Sequence, residues 1–344
     1  MAKEGGLVEL RSELDQPVVL TGESKQRVVL KVTLTPNKVE SNRERPPLNV
    51  SVVLDRSGSM QGEKIKQARQ AALEILKRLD ERDRISLVTY SDQARTDIPS
   101  MSANHTTEVT QGIQSVAASG STALYAGVNQ GAAEIRKGYA EGDYFHKLIL
   151  LSDGMANIGP KTPTDLELLG RALGNEGMSV CTVGLGAGYN EDLMVKLAMA
   201  TQSQPYYVAE AKSLPEVFAS EIGDALNMVG KSAEIRIQCS PGVWPVRSIG
   251  LELGIEGSEA TGEYRLLYSG KEKYVMLELE VAPFLSVATR ELARVTTTYQ
   301  DMIYDEVRTL EDTVSLRFAE DQEEVDAAWN LSVAQAIAYQ EIAA

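Results

Sequence analysis

The sequence predicts an α/β protein: a doubly wound, mostly parallel sheet inserted into an antiparallel β-sandwich, with a helix at the C-terminal end. Three observations carry that expectation. Between Leu48 and Val229, short and almost wholly apolar runs alternate with amphipathic segments of helical period, the pattern of a parallel sheet covered on both faces. After Gly230 the helical period gives way to short runs divided by Gly, Pro, Ser and charged turns, as in an antiparallel sandwich. A length of 344 residues is also more than one compact core usually organises.

The elements follow in order. Pro17 to Leu20 and Arg27 to Leu34 read as strands joined by a turn at Thr21-Gly22-Glu23-Ser24. In the second run Val28, Leu30, Val32 and Leu34 alternate with Val29, Lys31 and Thr33, the period of a strand with one buried face. A polar stretch with Pro36, Asn37, Pro46 and Pro47 reads as a linker. Leu48 to Leu54 is then a strand buried on both faces, and Glu63 to Leu79 a helix whose Ile65, Ala68, Ala72, Ile75 and Leu76 share one face. Strands at Ile85 to Tyr90, Leu148 to Leu151, Ser179 to Leu185 and Tyr206 to Val208 alternate with helices at Thr122 to Lys137, Asp165 to Asn175, Leu193 to Ala200 and Leu214 to Val229. Ala233 to Cys239, Tyr264 to Tyr268, Tyr274 to Val281, Leu292 to Tyr299 and Thr313 to Phe318 are the later strands. The early strands need partners, and the economical solution pairs them with these. The expected division is therefore residues 1–47 and 230–320 in one sandwich, 48–229 in the α/β domain, and 321–344 in a terminal helix. That helix places Val325, Trp329, Val333, Ala336, Ile337 and Gln340 on one face and has no closing cap. It either docks on a partner or packs on the sandwich through Trp329.

Charge excludes several functions. The chain carries 49 acidic and 34 basic residues, a net charge of -15. Residues 48–228 hold 16 basic and 22 acidic side chains, and residues 229–344 hold 10 and 20. No basic stripe survives, so neither nucleic acid nor an anionic membrane surface is an expected partner. Cys181 and Cys239 stand in separate apolar runs and read as buried free thiols rather than a disulfide framework or zinc ligands. The opening Met-Ala-Lys-Glu-Gly-Gly lacks the apolar core of a secretory signal, so the expected setting is cytoplasmic.

In an open parallel sheet, ligands bind at the carboxyl ends of the strands. There the first buried strand ends in Asp55-Arg56-Ser57-Gly58-Ser59, three side-chain oxygens on one short loop. Gly120-Ser121-Thr122 precedes a helix and Leu151-Ser152-Asp153-Gly154 ends another strand, which brings all three clusters to one edge. Oxygen-only ligands suit a hard cation, with Mg²⁺ at about 2.1 Å leading and Mn²⁺ or Ca²⁺ as alternatives.

Asp55-x-Ser57-x-Ser59, with Thr122 and Asp153, resembles the complete metal-ion-dependent adhesion site (MIDAS) of von Willebrand factor type A (VWA) domains, of which the integrin inserted domains are the best known. The resemblance covers roughly residues 48–229 and implies their Rossmann-like fold. It further implies that Ser57, Ser59 and Thr122 offer hydroxyls to a metal that Asp55 and Asp153 bind directly or through water. A flanking β-sandwich resembles the arrangement in several prokaryotic VWA proteins and in inter-alpha-trypsin inhibitor heavy chains. The function implied is a non-enzymatic protein-protein interaction module, an intracellular scaffold or assembly subunit. Its partner would donate an Asp or Glu carboxylate to the metal.

Two other readings stand beside it. A metal-dependent, phosphatase-like hydrolase could use aspartate-bound magnesium, but no second catalytic acid or lysine motif follows Asp55, and His105 and His146 read as surface or packing residues. An extracellular adhesin would need a secretory leader. Gly184-Leu185-Gly186-Ala187-Gly188 has the wrong spacing for a dinucleotide loop. Met60 and Met155 flank the metal loops as either an apolar rim or core.

Overall fold

The computed structural model describes residues 7–22, 24–38, 46–142 and 144–343. The chain's first residues, Glu23 of the early turn and most of the expected linker lie outside them. The chain divides into two compact units, Glu44–Leu226 and the pair Met1–Arg43 with Asn227–Ala344.

It opens with strands β1 (Val8–Leu14), β2 (Val18–Leu20) and β3 (Gln26–Pro36). The α/β unit follows as β4 (Leu48–Asp55), α1 (Glu63–Leu76), β5 (Arg84–Tyr90), β6 (Ala94–Ser102), α2 (Thr106–Ser115), α3 (Leu124–Arg136), β7 (Phe145–Ser152), α4 (Pro163–Asn175), β8 (Met178–Leu185), α5 (Glu191–Ala200), β9 (Pro205–Val208) and α6 (Leu214–Leu226). Strands β10 (Met228–Cys239), β11 (Val243–Ile249), β12 (Gly254–Glu256), β13 (Glu259–Tyr268), β14 (Lys273–Val281), β15 (Ala288–Asp301) and β16 (Glu306–Ala319) come next, and helices α7 (Gln322–Ala327) and α8 (Leu331–Ala343) end the chain.

The sheet of the α/β unit has the order β6-β5-β4-β7-β8-β9. All its pairings are parallel except β5 with β6. Every residue of β4 and β8 is buried, as strands covered on both faces require. Helix α3 crosses unusually close to the sheet: a Cβ built on Gly127 would stand 2.6 Å from the Tyr90 ring, and one on Gly131 2.5 Å from Val53. Two glycines one turn apart therefore let the helix seat directly on β4 and β5. Val53, Val88, Tyr90, Leu124, Val128 and Leu148 belong to the apolar cluster this creates.

In the other unit, β1-β3-β14-β11 form one sheet and β12-β13-β10-β15-β16-β2 a second. Leu30, Val32 and Leu34 of β3 share one apolar cluster with Ile235, Ile237, Val295, Leu316 and Phe318 of the second sheet, so the two sheets enclose a common core. The early strands do pair with later ones, β3 with β14 and β2 with β16. The β2–β16 pairing is parallel, a local departure from the all-antiparallel arrangement expected.

The terminal helix also differs from expectation. It is broken between Ala327 and Leu331, where the Asn330 backbone N–H donates to the Asp15 carbonyl at 2.8 Å. Trp329 stays 53% exposed, whereas Val333 is fully buried. Ala336 and Ile337 pack with Val29, Ile249 and Met276. The helix docks through its small and branched side chains, and Val29 on the second face of β3 is what they cover.

Candidate functional site

Asp55 ends β4 and Asp153 directly follows β7. These strands are neighbours with Leu54 opposite Leu151, whereas β5, the next strand in the chain, lies on the far flank of β4. The strand order thus reverses between β4 and β7, and that switch opens a crevice at the carboxyl ends. Both aspartates stand on its two lips.

The loop after β4 folds back on itself. Asp55 Oδ1 accepts the Ser57 backbone N–H at 2.8 Å, and Gly58–Met60 forms one short 3₁₀ turn. Met60 is fully buried and anchors that turn. The Gly58 N–H donates to the Gly120 carbonyl at 2.9 Å, tying this loop to the one before α3. Gly120 has φ +84°, and a Cβ there would stand 2.7 Å from the Asp92 carboxylate. Only glycine fits that turn without strain. Asp92 in turn accepts the Ser121 N–H at 2.9 Å, and Asn157 Oδ1 accepts the Thr122 N–H at 3.0 Å.

The five residues singled out in the sequence come together here. Ser57 Oγ and Ser59 Oγ are 3.0 Å apart, and Ser59 Oγ donates to Asp153 Oδ1 at 2.7 Å. A Cβ built on Gly154 would lie 3.7 Å from both Ser59 Oγ and Thr122 Oγ1, which puts the threonine hydroxyl on the same side of the Asp153 loop as the serines. Asp55, Ser57, Thr122 and Asp153 are all buried.

Three residues whose parts were not read from the sequence complete the site. Ser152 Oγ donates to Asp55 Oδ2 at 3.1 Å. Lys64, in the first turn of α1, donates from Nζ to Asp153 Oδ2 at 2.5 Å. Tyr90 lies beneath, its hydroxyl donating to the Leu151 carbonyl at 2.9 Å. Burial, together with the nearby Asp55 charge, pushes that phenol well above its ordinary pKa. The sequence signal for Lys64 is a lysine in the first turn of a helix, where it opposes the macrodipole and is favoured only beside an acidic group such as Asp153.

The two carboxylates differ in their surroundings. Asp153 meets the Lys64 ammonium. Asp55 is 0% exposed and its hydrogen-bond donors, the Ser57 amide and the Ser152 hydroxyl, are neutral. Burial lifts its carboxyl from 3.8 to about 6; the Ser57 and Ser152 donors oppose the rise and the neighbouring Asp153 charge adds to it.

The remaining candidates lie apart. His105 precedes α2, 3.9 Å from Glu108. His146 packs against the Tyr139 ring with centroids 4.5 Å apart, at the opposite end of β7 from Asp153. The Gly184–Gly188 glycines turn the chain toward Asn190, which caps α5 by accepting the Leu193 N–H. Met155 is 58% exposed beside Asp153 and so belongs to the rim, whereas Met60 belongs to the core.

Comparison with known proteins agrees with this architecture. Residues 49–220 match the model of the von Willebrand factor type A domain. Over 232 residues the chain is 32% identical to the uncharacterized protein YfbK of Escherichia coli (strain K12), covering 67% of this chain and 40% of YfbK. It is 26% identical over 290 residues to the uncharacterized protein sll0103 of Synechocystis sp. (strain ATCC 27184 / PCC 6803 / Kazusa), covering 81% and 68% of the two chains. The chain thus spans less than half the length of one of these relatives and about two thirds of the other. Among solved structures, the von Willebrand factor type A protein from Catenulispora acidiphila shares the fold with a TM-score of 0.73 at 16% identity, covering 94% of this chain and 76% of that one. With half of its length matched by the family's own model, the chain belongs to the von Willebrand factor type A domain family.

Proposed function

We propose that the α/β unit is a non-enzymatic protein-interaction module that engages an Asp or Glu side chain of a partner protein through a divalent cation. The cation would be held by Asp55, Ser57, Ser59, Thr122 and Asp153, with Mg²⁺ the first choice. Domains of this family commonly mediate protein–protein interaction and typically bind a divalent metal. The observation that carries the reading for this chain is Asp55, a fully buried carboxylate whose bonded donors are neutral. Such a charge is costly unless a cation meets it.

The donor set fits a hard cation. Among the described residues, no group of three or more His, Cys, Asp or Glu side chains is placed to hold a metal, so binding would rest on hydroxyls as much as on carboxylates. That balance favours Mg²⁺ over softer metals. A bound divalent cation supplies an electrophilic centre that takes an anionic oxygen. The protein's part is to hold its ligands rigid: the Gly58–Gly120 bond fixes two loops against each other, and Ser59 orients Asp153. Exposed Met155 offers apolar contact next to the charged one, the combination of a desolvated anchor and a specific polar contact seen at binding hot spots.

A binding role rather than catalysis is supported by the engagement of both histidines elsewhere and by the family's general use. We further propose a scaffold or assembly role in the cytoplasm, supported by the two cysteines being buried free thiols. The test is binding of the full chain to immobilised candidate partners bearing acidic loops, with Mg²⁺ or with EDTA. Binding is expected to need Mg²⁺ and to fail with Asp55→Ala; binding indifferent to both treatments refutes the mechanism.

A further inference from the structure

Lys64 is a charged side chain of the site that lies outside the ligand set yet meets one of its members. Lys64 stands in the first turn of α1, where a positive charge opposes the helix dipole. The helix therefore gains nothing from it, and what it meets is the Asp153 carboxylate. The Asp153 side chain is 0% exposed and that of Lys64 38%, so the ammonium reaches a buried anion from the solvent side.

The two oxygens of Asp153 are divided between different neighbours. Oδ1 accepts from Ser59, which touches Ser57, while Oδ2 accepts from Lys64. The Ser59 hydroxyl thus takes one oxygen and the ammonium the other. Lys64 meets a different oxygen of Asp153 from the one Ser59 meets, and so would stand beside a cation held by the hydroxyls. Two carboxylates would neutralise a divalent cation, and Asp92 and Arg56 on the flanking loops offset one another; with the ammonium added, the cation, its two carboxylates and Lys64 would together carry a net positive charge.

We propose that Lys64 is a specificity-determining residue of this site, weakening its hold on the divalent cation while strengthening its preference for an anionic oxygen over water or a neutral carbonyl. This rests on the metal-dependent reading above. A charge beside the cation repels it and attracts the carboxylate, so the two affinities move in opposite directions when the ammonium is removed. A lysine that merely propped Asp153 would make both fall together.

Lys64→Gln keeps helix propensity and a hydrogen-bond donor but removes the charge; Lys64→Met removes both. Mg²⁺ affinity is read by titration calorimetry on the full chain. Carboxylate affinity is read by adding acetate to the Mn²⁺-loaded protein and following water-proton relaxation, which drops as a bound water is displaced. Both variants are expected to bind Mg²⁺ about tenfold more tightly and acetate about tenfold more weakly than the wild type. The proposal is overturned if either variant binds Mg²⁺ no more tightly than wild type, or if acetate affinity is unchanged. A glutamine variant indistinguishable from wild type also overturns it, by showing that the hydrogen bond and not the charge matters. If wild type itself takes up no Mg²⁺ and melts identically in Mg²⁺ and EDTA, the metal-dependent reading falls along with it.

Discussion

Replacing Asp55 by asparagine should make the metal-free protein more stable and the metal response vanish. The side chain is fully buried, and its carboxyl is lifted from 3.8 to about 6. At pH 7 holding it ionised costs about 3 kcal/mol relative to the unfolded chain, from roughly 1.4 kcal/mol for each pH unit of displacement. Asparagine keeps the shape and the bonds. Its carbonyl can accept the Ser57 N–H that Oδ1 accepts now at 2.8 Å, and its amide can donate to Ser152 Oγ, now 3.1 Å from Oδ2. Asp55→Asn in EDTA should therefore gain up to about 3 kcal/mol. At about 2–4 °C per kcal/mol for a unit of this size, the melting temperature rises by several degrees.

Magnesium reverses the comparison. At a hundred times its dissociation constant, a ligand bound only by the folded state adds about 2.7 kcal/mol. Wild type should show that increment and the variant little of it. Differential scanning calorimetry of both proteins, in EDTA and in Mg²⁺, gives the four melting temperatures needed. A variant clearly less stable than wild type in EDTA would mean that the Asp55 charge is already compensated. An equal Mg²⁺ increment in both would mean that Asp55 is not a ligand. Either result refutes the reasoning.

Three further outcomes are expected. Glu221 on α6 is buried and pairs with Lys147 at 2.7 Å, accepting also from the Tyr206 hydroxyl at 2.9 Å. Burial alone would raise its pKa, but the Lys147 charge and these bonds hold it below 4.5, so its contribution is present above that value and lost as pH falls through the lower, folded-state pKa. Glu221→Gln should thus cost about 3–5 kcal/mol in denaturant titrations at pH 7, with the gap to wild type closing in acid; a pH-independent gap would contradict the pairing. Gly127→Ala sets a methyl 2.6 Å from the buried Tyr90 ring and should cost about 1–3 kcal/mol by urea titration while also weakening Mg²⁺ binding, because Tyr90 braces Leu151 two residues before Asp153. Burial pushes the Cys239 thiol up to about 11, so its alkylation by iodoacetamide in the native protein should rise with a midpoint near that value. A midpoint near the ordinary 9 would show the thiol to be exposed.

How far the sequence disclosed this depends on where each signal resides. The buried strands β4, β7 and β8 announce themselves because covering both faces demands an uninterrupted apolar run. Edge strands carry no such demand. The β6 strand, with Asp97 and Pro99, and β1, whose inward residues are separated by Glu9, Arg11 and Glu13, carry no such signal. The helix expected to run to Val229 instead stops at Leu226 and β10 begins two residues later, because the apolar stretch between them fits helix and strand equally well. In the site, the residues carried by a motif at fixed spacing were legible, since loop, strand end and helix start are local facts. Lys64 and Ser152 were not, because their roles lie in which oxygen of which aspartate they reach across 89 and 97 residues of chain.

The site is also the place where local preference and global fold disagree. A lysine in a helix's first turn, a carboxylate buried among neutral donors and two aspartates facing each other across a crevice each oppose stability. Lys64 and Asp153 resolve one another, and an apolar pair there would serve stability equally well or better. Asp55 has no such resolution within its own bonds. Several other elements of the unit follow the local rules: Thr162 and Asp165 cap α4 reciprocally, Asn190 caps α5, and the apolar faces of α1 and α3 are buried. Such local contradictions are expected at functional sites, where a ligand can relieve them. A divalent cation would relieve the Asp55 charge, and an anion would relieve the positive excess that Lys64 leaves.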